Sequence, residues 1–202
     1  EGGIAPGNGL LVGVVAQASG VQPTVAGKPE PPLMLESVAR TGAQRPLVVG
    51  DRLDTDILGA GRSDLPSLLV LTGVSGVADV FKAEGLSRPT YLGLDLRALL
   101  EPATRAEVVR DDTGSMTSVC RRTVARIEDE RLNLVGDTGD HGGAPTGESW
   151  LLGMSNAPAA AGLWLDGLRA ACALAWAARD AGLDVDCSDV IDQLQESRPR
   201  SE

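Results

Sequence analysis

The chain has 202 residues, of which 43% are hydrophobic, 23% charged and 2% aromatic, and its net charge is −10. That is enough apolar sequence for a real core in one large domain or two small ones. The acidic balance and the shortage of aromatics argue against nucleic acid, which calls for basic patches and stacking platforms. They also make any anionic substrate depend on a local lysine or metal.

Taken in order, residues 10–16 (LLVGVVA) begin a helix that follows the turn residues Pro6-Gly7-Asn8-Gly9 and closes near Gly20. Gln22–Ala26 reads as a short extended piece ending at Gly27-Lys28-Pro29, and residues 31–41 as a helix stopped by Gly42. Pro46–Val49 is a strand, Thr55–Ser63 a helix, Ser67–Leu71 a strand and Val77–Glu84 a helix. Thr90–Leu92 reads as a short strand and Leu94–Leu100 as a helix. Continuous aliphatic strands alternating with helices of about ten residues predict a parallel sheet covered on both faces. In such sheets the chemistry lies at the carboxyl ends of the strands, where this reading puts Lys28, Asp51 and Thr72-Gly73.

Glu107–Gly114 is polar and charged and reads as a linker. Met116–Arg126 and Arg131–Val135 then predict two strands joined at Glu128-Asp129-Glu130. Asp137–Gly147 reads as a surface loop holding His141, the single histidine, and the second Gly-Asp pair, Gly136-Asp137, leads into it. A long helix is expected from about Ala157 to Ala181, with Pro158 in its first turn and Gly182 past its end. Its apolar stripe is Leu165, Leu168, Cys172, Ala175 and Trp176, with Asp166, Arg169 and Arg179 off the stripe and Trp164 in the core. Ser188 is expected to cap a last helix, Asp189–Glu196.

Cys120, Cys172 and Cys187 are scattered and odd in number, so they read as reduced thiols in a cytoplasmic protein. The apolar run Ala170–Ala178 is too short to span a bilayer. The chain opens on Glu1-Gly2-Gly3 without a methionine, and is expected to be the later part of a longer polypeptide.

The most informative segment is Gly50-Asp51-Arg52-Leu53-Asp54-Thr55-Asp56-Ile57, directly after a buried strand. Unpaired carboxylates at such a strand tip repel one another and resist desolvation. A hard cation such as Mg2+, held by one or two carboxylates, waters and a substrate phosphate, resolves the conflict. Taken alone, the cluster also fits a capped helix start, with Asp54 or Thr55 as N-cap. An EF-hand is excluded, because Asp56 and Arg62 occupy its sixth and twelfth loop positions.

GKP at Gly27–Pro29 followed by GDRLDTD at Gly50–Asp56 resembles the third and fourth motifs of haloacid-dehalogenase-type (HAD) phosphatases. More narrowly it is similar to the large-capped NagD and 4-nitrophenylphosphatase-like group, which includes the actinobacterial glycerol-3-phosphate phosphatases. The resemblance implies an α/β fold: residues 1–26 as the end of the cap, 27–110 as the second half of a Rossmann-like core, and 111–202 as a small α+β extension. It implies Lys28 as the lysine facing the phosphoryl group, Asp51 as a Mg2+ ligand, and Asp56 as a direct ligand or a holder of the metal's waters. Gly50, Asp54 and Thr55 would support them.

The family's DxDG motif with its nucleophilic aspartate, and the Ser/Thr motif after it, have no counterpart in these 202 residues. The resemblance therefore implies a half-site that is inactive alone and is completed by an N-terminal part of the same protein. The implied activity is Mg2+-dependent hydrolysis of a small phosphorylated metabolite, with glycerol 3-phosphate as substrate. Residues 115–202 resemble a partial acetyltransferase-like extension without the coenzyme A loop, implying a packing or regulatory role. A second reading stays open, in which the HAD half is a relic and the chain is a non-catalytic partner-binding module.

Overall fold

The computed structural model describes residues 7–135 and 158–199. Helix α1 (Asn8–Ser19) ends on Gly20, whose φ of 70° is the left-handed conformation that terminates helices, with its N–H on the Ala16 carbonyl. No residue of α1 is buried; Leu10, Leu11, Val14 and Val15 all face outward. Gln22–Ala26 forms no strand, so Lys28 reaches the site from a turn ahead of α2 (Pro32–Thr41) and not from a strand end. No neighbouring strand among the described residues pairs with that segment.

Three parallel strands follow, β1 (Val48–Gly50), β2 (Ser67–Val70) and β3 (Tyr91–Gly93), in that spatial order. Val49 lies beside Leu68, and Leu69 beside Leu92. The crossovers are α3 (Leu58–Arg62), entered through a π-type turn at Leu53–Ile57, and α4 (Val77–Lys82). Every residue of β2 is buried, as its continuous aliphatic sequence requires of a central strand. The helix expected at Leu94–Leu100 is a short 3-10 segment, Leu96–Leu100, opened by Asp95 accepting from the Arg97 N–H.

The second sheet is an antiparallel meander, β4 (Glu107–Arg110), β5 (Met116–Cys120), β6 (Thr123–Glu128) and β7 (Arg131–Val135). The stretch expected to be a linker is therefore partly an edge strand. All four residues of β4 are exposed; ladder hydrogen bonds to β5 hold it, and these leave no mark on hydropathy. The single strand expected over Met116–Arg126 is two, folded back at Arg121, which takes a φ of 51°. That turn was invisible because an arginine stands where glycine or asparagine usually announces the left-handed conformation. The turn expected at Glu128-Asp129-Glu130 is present.

Helix α5 (Pro158–Asp180) crosses this sheet and also packs on α4, so one hydrophobic core runs from Leu69 and Phe81 to Trp164, Leu168 and Leu174. Trp164 is fully buried, and its indole N–H donates to the Leu194 carbonyl. Trp176 donates to the Val80 carbonyl, and Arg88 pairs with Asp180 through contacts of 2.5 and 2.8 Å. Helix α6 (Ser188–Glu196) has Cys187, not Ser188, at its N-cap position, without a side-chain cap bond; Ser188 is the first helical residue and donates its N–H and hydroxyl to the Asp186 carboxylate ahead of the helix.

Asp166 and Arg169, expected beside the apolar stripe, pair at 2.9 Å, with Asp166 buried and Arg169 partly so. The Cys120 thiol faces that carboxylate at 3.5 Å; burial, and then Asp166, push it up to about 12. Burial likewise raises the Cys172 thiol. A folded-state pKa above the unfolded one means that the native protein keeps protons the unfolded chain gives up. This stabilisation is complete below about pH 9 and shrinks as pH rises from there towards 12. The midpoint of urea unfolding is expected to fall over that window, and to fall less steeply in Cys120→Ala; equal slopes would refute the assignment. Gly136–Gly147, with His141, lies outside the described residues. No helix among the described residues is long and apolar enough to cross a membrane.

Candidate metal and phosphoryl site

The π-type turn that follows β1 does the local work. Both the Asp56 and Ile57 N–H groups bond the Arg52 carbonyl at 3.1 Å, which widens the first turn and swings Asp56 back over Gly50. A Cβ at Gly50 would collide with the Asp56 side chain, so glycine is required for this close approach. Asp56 is 5% exposed and its charge is fully answered: one oxygen accepts from Lys28 Nζ at 2.5 Å, the other from the Arg52 N–H at 3.1 Å. Lys28 is half exposed on its outer side. Its Nζ is therefore a fixed cation with donors left for a ligand.

Asp51 is clamped by the loop after β2. Its Oδ2 accepts from the Val74 N–H at 3.0 Å, and its carbonyl from the Ser75 N–H at 3.0 Å. The buried Ser75 hydroxyl accepts in turn from the Leu53 N–H. Gly73 passes so close to the Asp51 carboxylate that any Cβ there would overlap it. Among the described residues no lysine or arginine lies within ion-pair distance of Asp51, which leaves hard carboxylate oxygen for a cation. No group of three or more His, Cys, Asp or Glu side chains among the described residues forms a metal cage.

Of the residues picked out in the sequence, Lys28 and Asp56 meet directly, with Gly50 against the Asp56 side chain, and Asp51 lies between β1 and the turn that carries Asp56. Asp54 turns outward into a two-pronged pair with Arg52, at 3.0 and 2.7 Å, which holds its carboxyl below the usual range. Thr55 is half-buried within the turn. Neither Asp54 nor Thr55 is an N-cap; Arg52 holds that position without a side-chain bond. Ser75 was not picked out, although the glycine-spaced run Thr72-Gly73-Val74-Ser75-Gly76 at a strand exit marked the loop that contains it.

Residues 25–99, the segment containing all of these groups, match the HAD-hydrolase-like family. Over that segment the chain is similar to the HAD-like hydrolases. The D-glycerol 3-phosphate phosphatase of Mycobacterium tuberculosis is 57% identical over 99 residues, which are 49% of this chain and 28% of that protein. An acid sugar phosphatase of Staphylococcus epidermidis is 38% identical over 102 residues, 50% of this chain and 39% of that one. The chain thus spans well under half the length of these relatives. The crystal structure of the M. tuberculosis glycerol phosphate phosphatase in complex with magnesium superposes on 95% of this chain and 49% of its own, with a TM-score of 0.63 and 34% identity. Its complex with calcium matches 98% and 50%, at the same score and identity. The superposition takes in the antiparallel sheet and α5 as well as the parallel sheet, since the HAD-like match alone ends at residue 99.

Proposed function

We propose that this chain forms the metal- and phosphoryl-binding half of a Mg2+-dependent phosphatase for a small phosphorylated metabolite, glycerol 3-phosphate in the first instance. The observation that carries the reading is that the turn at Lys28 and the end of β1 come together within the family-matched segment: Lys28 pairs with Asp56, Asp56 packs on Gly50, and Asp51 follows Gly50 directly. The 57% identity to a glycerol 3-phosphate phosphatase supports the substrate class. In this reading residues 1–26 are the end of a cap, 27–110 the second half of the core and 111–202 an α+β extension.

Asp51 would hold Mg2+ through the carboxylate oxygen that Val74 leaves free. Bound Mg2+ supplies charge neutralisation at the phosphoryl oxygens. Lys28 places a second positive charge there, and Asp56, with both oxygens occupied by Lys28 and the Arg52 N–H, acts by aiming that lysine. An aspartate outside these 202 residues would attack phosphorus as the ester P–O bond breaks and the glycerol oxygen leaves as its protonated alcohol; water would then attack phosphorus of the aspartyl-phosphate, releasing inorganic phosphate and the free carboxylate. The outward-facing leucines and valines of α1, and β1 as the outer strand of the parallel sheet, suit docking of the other half of the core. The three free thiols suit a reducing, cytoplasmic setting.

The test compares this chain with a polypeptide that carries both halves of the core. The complete protein is expected to release phosphate from glycerol 3-phosphate, to lose at least about 100-fold in rate in EDTA, and to recover with Mg2+. The 202-residue chain alone is expected to show no turnover. Undiminished activity in EDTA would refute the metal, and faster turnover of sugar phosphates would refute the substrate.

A further inference from the structure

The C-terminal part of the chain reaches the end of the strand that leads into the loop gripping Asp51. Arg198, just beyond α6, donates from Nη2 to the carbonyl of Leu71. Leu71 is the first residue past β2, is 1% exposed, and its own N–H is used by the Gly93 carbonyl. Its carbonyl lies where the parallel ladder has run out, so a donor must come from outside the sheet. A second arginine does the same on the neighbouring strand: Arg169 of α5 donates to the Leu92 carbonyl of β3 at 2.7 Å. Both donors belong to the extension, and both acceptors lie towards the carboxyl ends of their strands.

The consequence for Asp51 follows along the backbone. The residues after Leu71 are Thr72, Gly73, Val74 and Ser75, and the last two supply the N–H groups that grip Asp51 on its carboxylate and on its carbonyl. Arg198 is itself held firmly. Ser197 bonds the Gln193 carbonyl at 2.7 Å through its hydroxyl, Leu194 is fully buried, and the Leu194 carbonyl takes the Trp164 indole. No carboxylate among the described residues pairs with Arg198, and its Nη2 is given to the strand end.

We propose that Arg198 is a positioning residue for the metal-binding carboxylate: it fixes the end of β2 so that the Val74 and Ser75 amides hold Asp51 in place. The α+β extension then serves as a brace for the phosphatase half, with Arg169 steadying the adjacent strand. This rests on the reading of Asp51 as a metal ligand only for its functional meaning; the mechanical link stands on the hydrogen bonds.

Amide hydrogen exchange in the 202-residue chain tests it without metal or substrate. In Arg198→Met, which keeps the length of the side chain, exchange at Val74 and Ser75 is expected to rise about tenfold or more, while Ala125 in the antiparallel sheet keeps its rate. Arg198→Lys, which restores a donor, is expected to recover part of the protection, and Arg198→Gln serves if the methionine variant fails to fold. Unchanged rates at Val74 and Ser75, or equal acceleration at Ala125, would overturn the proposal. A second arm measures Mn2+ binding to the complete protein, with Asp51→Asn as the zero: Arg198→Met is expected to weaken it several-fold, and full affinity would overturn the link to the metal. Wild-type protein that binds no Mn2+ would count against the metal reading alone, leaving the exchange rates to decide the brace.

Discussion

Asp51→Asn is expected to lower phosphate release by the complete protein by at least about 100-fold while leaving it folded. Asparagine has the same shape and still accepts from the Val74 N–H, so the clamp of residues 73–75 survives. What is lost is the charge, and with it the anionic oxygen that a hard cation selects. Function and stability should move in different directions. Asp51, Asp54 and Asp56 lie within six residues, and removing one charge relieves repulsion in the metal-free protein. The melting temperature without metal is therefore expected to hold or rise. Mg2+ should raise it in the wild type and not in the variant, because a ligand stabilises only the state that binds it. Unchanged turnover, or an undiminished Mg2+ shift, would remove Asp51 from the site.

Asp166→Ala is expected to cost about 3–5 kcal/mol, a large part of the stability of a domain this size. The Asp166 carboxylate is 5% exposed and lies 2.9 Å from Arg169 and 3.7 Å from Arg121. Arg169 is nearly as buried; its Nε has no acceptor among the described residues, and its other bond goes to the Leu92 carbonyl. Truncating Asp166 leaves a guanidinium in the core with that one neutral acceptor. The cost comes from the stranded charge more than from the lost attraction, and a double replacement separates the two. Asp166→Leu combined with Arg169→Met is expected to recover most of the loss in urea unfolding. If the single variant costs under about 1 kcal/mol, the pair behaves as a solvated surface bridge and the assignment fails. The double variant also removes the donor to Leu92, so it isolates how much of the coupling between the two sheets runs through Arg169.

Strand existence was legible where burial writes itself into composition. Ser67–Leu71 could be read because a central parallel strand is covered on both faces and shows as unbroken aliphatic sequence. Glu107–Arg110 could not, because an edge strand is held by its ladder and its side chains face water. The Arg121 turn escaped for a related reason: its left-handed backbone is imposed by the strands on either side, not by the residue. On α5, an aspartate and an arginine three apart look like a solvated pair in a linear reading. Only the sheet lying over that face makes them a buried one.

The half-site divides in the same way. Residue chemistry and order along the chain singled out Lys28, Asp51 and Asp56 as the group proposed to meet a phosphoryl ligand and a hard cation. Charge at a strand tip demands a counter-charge, and that demand is local. The tertiary structure decided how the group is shared out: Asp56 satisfied by Lys28 and the Arg52 N–H, Asp54 turned away onto Arg52, and Asp51 kept open by the loop of the next strand. It also decided that an arginine 127 positions beyond Leu71 holds the end of that loop. Contacts across such separations depend on which surfaces pack together, and no local pattern of residues encodes that.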